Sequence, residues 1–300
     1  MTARTGGLPR FHGSCTALIT PFKNGKVDEA AFQKLCAWQI EQGTNALVPC
    51  GTTGESPTLS HDEHNRVVEL CVEVARGKVP VIAGAGSNST EEAIAMTRHA
   101  AKCGAEAVLS VAPYYNKPTQ EGLYQHFKAI HDSAEIPVIV YNIPPRSIVD
   151  ISVDTFARLA KLPRIIGVKD ATMDLARPLR MRLALGPDFI QLSGEDGTAV
   201  PLLAQGGHGC ISVTANIAPK PLSEMHGAWR AGDFPAVQKI NDRLMPVHDA
   251  LFAETSPAPV KYAASLLGLC TADLRLPMVS PSDATKARVR QAMEKAGLLG

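Results

Sequence analysis

The sequence predicts a (β/α)8 TIM barrel with a C-terminal helical appendix, and three observations carry that expectation. Short apolar runs recur eight times between residues 14 and 213, and stretches of helical periodicity separate them. No Gly-x-Gly-x-x-Gly turn follows the first run, as a doubly wound dinucleotide-binding sheet would require, and Gly84-Ala85-Gly86 after the third run lacks its last glycine. Alternating strands and helices of this length force right-handed parallel crossovers, and eight such units close on themselves. With 300 residues, 45% of them hydrophobic, the chain can bury one large core.

The first strand is expected at 14–19, stopped by Thr20-Pro21 and the turn Lys23-Asn24-Gly25-Lys26. Asp28 then caps a helix whose Phe32, Leu35, Cys36 and Ile40 make one apolar face before Gly43. Strand two, 46–50, runs straight into Gly51-Thr52-Thr53-Gly54-Glu55-Ser56. Ser60-His61-Asp62-Glu63 opens the next helix as a capping box. Strands three to five are expected at 79–83, 107–112 and 137–141, with helices at 91–103, 120–133 and 153–161. Strand six is Ile165-Ile166-Gly167-Val168-Lys169-Asp170, and strands seven and eight fall at 189–192 and 209–213. Helical patterns at 235–253, 257–268 and 282–298 exceed one closing helix. The expected division is a catalytic barrel over 1–232 and a C-terminal helical region over 233–300, packed on the barrel or on a neighbouring subunit.

The charges nearly cancel, 30 Lys+Arg against 29 Asp+Glu with no block of like sign, which argues against nucleic acid or an acidic membrane surface as partner. No run approaches the ~18 apolar residues of a membrane span, and no apolar stretch near the start resembles a signal peptide. Seven scattered cysteines, never spaced Cys-x-x-Cys, read as reduced thiols in a cytoplasmic protein.

In a barrel of this class the reactive groups sit at the carboxyl ends of the strands. Those ends carry Thr52 and Thr53 after strand two, Tyr114 and Tyr115 after four, Tyr141 at five with Arg146 beyond it, Lys169 at six, Gly194 after seven, and residues 212–216 at eight. An amine delivered at the end of a buried strand is costly to keep charged, which is how a Schiff-base lysine is made. Taken alone, the strand favours a lysine that merely snorkels to water. Together the groups suit carbonyl chemistry: an amine condenses with a keto acid, a phenol shuttles protons, and hydroxyls with backbone N–H groups hold a carboxylate. Metal-assisted enolisation would need a cluster of His, Asp or Glu. His61 and His64 are i, i+3 on a helix with no third ligand beside them in sequence, so neither a metal nor an external cofactor is expected. His208 reads as part of a helix-to-strand loop.

Three motifs in order, each at a strand end, resemble the dihydrodipicolinate synthase / N-acetylneuraminate lyase family of Schiff-base aldolases. They are Gly51-Thr52-Thr53-Gly54-Glu55, Tyr141-Asn142-Ile143-Pro144 and Gly167-Val168-Lys169-Asp170, and the resemblance spans the whole chain. It implies that Lys169 forms an imine with pyruvate, that Thr53, Gly194 and the backbone at Ile211 belong to the substrate site, and that Tyr141 donates protons. It also implies a relay through Thr52 and Tyr115, the latter reaching in from a neighbouring subunit of a dimer of dimers. Arg146 matches the arginine that pairs with the carboxylate of aspartate 4-semialdehyde in the synthase branch, which leads toward diaminopimelate and lysine. Where many synthases read Ser-Arg-Thr-Gly, this chain has Pro145-Arg146-Ser147-Ile148, a stiff β-branched residue in place of glycine. Aldolases or dehydratases of 2-keto-3-deoxy sugar acids, N-acetylneuraminate-type lyases, and a non-catalytic pyruvate sensor remain alternatives.

The same resemblance implies an allosteric lysine site at Ser56, His61, His64, Asn88, Glu92 and Tyr114. Glu92 would take an ammonium and Asn88 an amino-acid carboxylate, although the same residues also fit an ordinary solvated helix face.

Overall fold

Eight parallel strands alternate with helices in the computed structural model, which describes residues 10–299. The strands are β1 (Gly13–Ala17), β2 (Ala46–Val48), β3 (Ile82–Gly84), β4 (Ala107–Val111), β5 (Val138–Asn142), β6 (Ile165–Asp170), β7 (Ile190–Ser193) and β8 (Gly209–Ser212). Their order is β2-β1-β8-β7-β6-β5-β4-β3. The two ends of that order meet through a parallel bridge between Leu47 and Val81 and a bond from the Gly84 N–H to the Pro49 carbonyl, so the sheet closes into a barrel.

Around the strands lie α1 (Glu29–Glu41), α2 (His61–Ala75), α3 (Thr90–Cys103), α4 (Gln120–Ser133), α5 (Val153–Leu159), α6 (Arg177–Leu185), α7 (Ala199–Ala204) and α8 (Pro219–Ala231). Asp28 caps α1 through the Ala31 N–H, and Ser60 with Glu63 forms the expected reciprocal box on α2. Side chains on β5 alternate between the two faces. Ile139 and Tyr141 point into the barrel with Leu109, Leu192 and Ile211, whereas Val138 and Val140 face the helices with Val108 and Val168.

Gly232 ends α8 in the left-handed region, and Asp233 caps α9 (Phe234–Leu251), followed by α10 (Ala258–Leu266) and α11 (Asp283–Lys295). Val247, Leu251, Val260 and Met293 from these helices join the same apolar layer that surrounds the barrel.

Several expected boundaries shift. The first strand leaves the ladder after Ala17, because the Ile19 N–H is taken by the Asn216 side chain. Strand three starts at Ile82 rather than at 79, behind a proline that cannot donate to a ladder. The expected turn at 23–26 is the tip of a small hairpin, Phe22–Lys23 with Lys26–Val27, in which Asn24 and Gly25 both have positive φ. A one-turn helix, Pro144–Ser147, was not expected. Of the expected spans, residues 1–9 of the barrel and residue 300 of the C-terminal region lie outside the described residues. All seven cysteines are unpaired, and no helix among the described residues is long and apolar enough to cross a membrane.

Candidate active site

Lys169 faces the inside of the barrel because β6 carries one extra residue. Val138 pairs with Ile165 and the next residue, Ile139, pairs with Gly167, so Ile166 is unmatched. A regular strand with Ile165 facing outward would turn Lys169 outward as well. The bulge resets the parity, placing Gly167, Lys169 and their partners Ile139 and Tyr141 on the inner face. Gly167 permits this close fit, since a Cβ there would come 2.5 Å from the Ile190 carbonyl oxygen. Lys169 is thus buried, 6% exposed, with Nζ 4.2 Å from the centroid of the Tyr141 ring. Just beyond it, Asp170 accepts from the N–H and hydroxyl of Thr172 and pairs with Arg177 at 3.0 Å, which locks the strand end.

The other expected groups surround this amine. Tyr141 lies in register beside it and is 6% exposed. Gly194, just after β7, closes against it: a side chain at that position would strike Lys169 Cε at 3.1 Å. Ile211 is fully buried in the inner layer, and the chain after it is held by Asp196, which accepts from the Ser212 hydroxyl and from the Val213 and Thr214 N–H groups. Thr53 is buried and Thr52 half-buried in the turn after β2. Arg146 stands exposed on the one-turn helix after β5, where its guanidinium donates to the Ser256 carbonyl at 3.3 Å. Tyr115 is the outlier. It is 88% exposed, with φ +71°, and turns away from its own barrel.

A cavity of about 500 Å³ is lined by Thr52, Tyr141 and Arg146 together with Ser56, His61, His64, Glu92 and Tyr114. Five of the six residues expected to hold lysine therefore share one space. Asn88 is not in that wall; its carbonyl accepts from the Asn116 amide. Burial pulls His64 down to about 4, leaving its ring neutral at pH 7. Glu92 accepts from the Ser87 hydroxyl at 2.7 Å. His208 sits between α7 and β8 as expected, with Nδ1 accepting from the Gln191 N–H.

Two acidic residues were missed. Glu195 lies within the electrostatic reach of Lys169 and Arg146. Burial pushes it up to about 7, reinforced by the adjacent Asp196 and opposed by those two cations. The signal was present in Gly194-Glu195-Asp196, a pair of acids at a strand end from which only the glycine had been drawn. The structure also brings Glu69, His99 and Cys103 of α2 and α3 together outside the cavity. This trio is hydrogen-bonded, His99 Nε2 lying 3.1 Å from Cys103 Sγ, and Arg66 reaches Glu69 at 3.5 Å.

A sequence profile described as the dihydrodipicolinate synthetase family matches residues 10–296. The 4-hydroxy-tetrahydrodipicolinate synthase of Rhodospirillum centenum is 66% identical over 289 residues, covering 96% of this chain and 99% of that protein. The crystal structure of a chloride-inhibited dihydrodipicolinate synthase from Acinetobacter baumannii, complexed with pyruvate, superposes with a TM-score of 0.93 at 46% identity, covering 96% and 99% of the two chains. The corresponding enzyme from Cyanidioschyzon merolae, with lysine bound, gives 0.94 at 40% identity, covering 97% and 99%.

Proposed function

The chain belongs to the dihydrodipicolinate synthetase family, and from that premise we propose that it is a Schiff-base lyase condensing pyruvate with L-aspartate 4-semialdehyde to 4-hydroxy-tetrahydrodipicolinate, in lysine and diaminopimelate biosynthesis. The observation that carries this reading is the pairing of a buried amine and a buried phenol, Lys169 and Tyr141, inside the carboxyl end of a closed barrel.

In this mechanism the Lys169 amine attacks the pyruvate carbonyl, and the carbinolamine loses water to give the imine. Tyr141 moves the protons of that step, with Thr52 and Tyr115 as its relay. Thr53 and the backbone at Ile211 hold the pyruvate carboxylate. Loss of a methyl proton leaves an enamine whose carbon adds to the aldehyde. The amine of the aldehyde substrate then attacks the imine carbon, which closes the ring and releases Lys169. Arg146 holds the carboxylate of the semialdehyde as a planar fork. No external cofactor enters any step.

The exposure and positive φ of Tyr115 support a role across a subunit contact, hence at least a dimer, and the proposed assembly is the dimer of dimers usual in the family. The reduced cysteines and the biosynthetic role suit the cytoplasm. Lysine is proposed as feedback inhibitor at Ser56, His61, His64, Asn88, Glu92 and Tyr114. A neutral His64 does not repel its ammonium, and Glu92 attracts it. A coupled assay with pyruvate and either aspartate semialdehyde or a panel of sugar-derived aldehydes tests the assignment. Turnover with the semialdehyde, lowered by saturating lysine, is expected; turnover with sugar aldehydes alone would overturn it.

A further inference from the structure

Lys261, on α10 of the C-terminal region, is 0% exposed, although a lysine is almost never fully buried without a partner. Its ammonium lies 2.6 Å from Glu55 Oε1 and 2.6 Å from the Asp273 carbonyl, and 4.0 Å from the centroid of the Phe22 ring. The Glu55 side chain is itself 2% exposed, and its second oxygen accepts from the Arg275 N–H at 3.2 Å. Desolvation lowers the Lys261 pKa while the Glu55 charge and hydrogen bond raise it, as in a buried pair held together by its own attraction.

Glu55 ends the turn that carries Thr52 and Thr53. Its N–H donates to the Thr52 carbonyl at 3.1 Å, and its own φ is +54°, a left-handed conformation that a side-chain residue keeps only when its surroundings impose it. The turn has no slack. The Gly54 carbonyl accepts from the Thr20 hydroxyl at 2.7 Å, and a Cβ on Gly54 would come 3.0 Å from the Leu18 carbonyl. A displaced Glu55 carboxylate would therefore shift Thr52 and Thr53. Well-packed apolar residues could give equal stability at such a place; what an ion pair with one further acceptor, the Asp273 carbonyl, and one further donor, the Arg275 N–H, adds is direction.

We propose that Lys261 is a positioning residue for pyruvate: by clamping Glu55 it fixes the Thr52-Thr53 turn, so the C-terminal helical region takes part in building the substrate site. This rests on the proposed role of Thr53 in holding the pyruvate carboxylate.

The test is the double variant Glu55→Gln/Lys261→Met, which removes both charges without leaving either one buried alone. Steady-state kinetics should show the KM for pyruvate raised about tenfold, with the KM for the aldehyde substrate unchanged. Borohydride labelling at subsaturating pyruvate should fall in proportion. A folded double variant with wild-type pyruvate KM, or with both KM values raised alike, would overturn the proposal. Should that protein not fold, Glu55→Asp serves instead, keeping the charge while shortening its reach: a raised pyruvate KM supports the clamp and a wild-type KM refutes it. Failure of the wild-type protein to be labelled with pyruvate would refute the Schiff-base assignment itself, a separate result.

Discussion

On the side of the mouth proposed for pyruvate, Lys169, Tyr141 and Ile211 are strand residues inside the barrel, at most 6% exposed. On the rim proposed to receive the second substrate, Arg146 and Ile148 are exposed on and just after a one-turn helix, with Ile148 at φ +66°. The inner groups are held by ladder pairing and a bulge. The rim is held by one helical turn, with the Arg146, Ser147 and Ile148 N–H groups bonded to the Ile143 and Pro144 carbonyls, and by side-chain contacts of Arg146 to the Ser256 carbonyl and of the Ser147 hydroxyl to the carbonyls of Ile143 and Val149. Under the proposed roles, the first half-reaction rests on a rigid strand frame and the choice of second substrate on a short, replaceable segment.

Tyr141→Phe should break the inner side hardest, lowering kcat on the order of 10²-fold or more while the barrel stays folded; unchanged kcat would remove the phenol from proton transfer. Arg146→Ala should raise the KM for aspartate semialdehyde roughly 10- to 100-fold and leave labelling of Lys169 by pyruvate intact. Equal loss of both would mean that the two sides are not separable.

Glu195 sits at their boundary, and its effect depends on pH. Its native pKa of about 7 lies above that of an unfolded glutamate, so the folded protein binds this proton more tightly. The stability it contributes is full below about pH 4 and is lost as the pH rises through about 7. Denaturant melts at pH 5 and pH 8 should show about 1–2 kcal/mol of loss that Glu195→Gln abolishes, the figure being reduced for partial solvent screening. Identical slopes in the two proteins would exclude it. The smallest effect is expected at Ile148, where glycine relieves a β-branched residue from left-handed backbone and should stabilise the protein by about 1 kcal/mol, read from the same melts. No gain would show that the rim is not strained.

The barrel was legible because its strands announce themselves twice over, by apolar runs and by the helices between them. Caps at Asp28 and Ser60 could be placed to the residue, since a capping side chain is a local signal. The inward aim of Lys169 was not legible: it depends on the unmatched Ile166, and a bulge leaves no mark in a strand that is apolar on both faces. Glu195 and Lys261 escaped for a related reason. Their meaning comes from burial and from partners, and in the case of Lys261 that partner is 206 residues away. Arg146 was found from its motif, but its anchor at Ser256 belongs to the C-terminal region and is invisible in the motif itself.

Borohydride reduction in the presence of pyruvate, followed by peptide mass mapping, tests the role of Lys169 most directly. The expected result is one pyruvate-derived adduct, on the peptide that carries Lys169 and absent from Lys169→Ala. An unmodified Lys169 peptide, or labelling spread evenly over surface lysines, would contradict the Schiff-base mechanism.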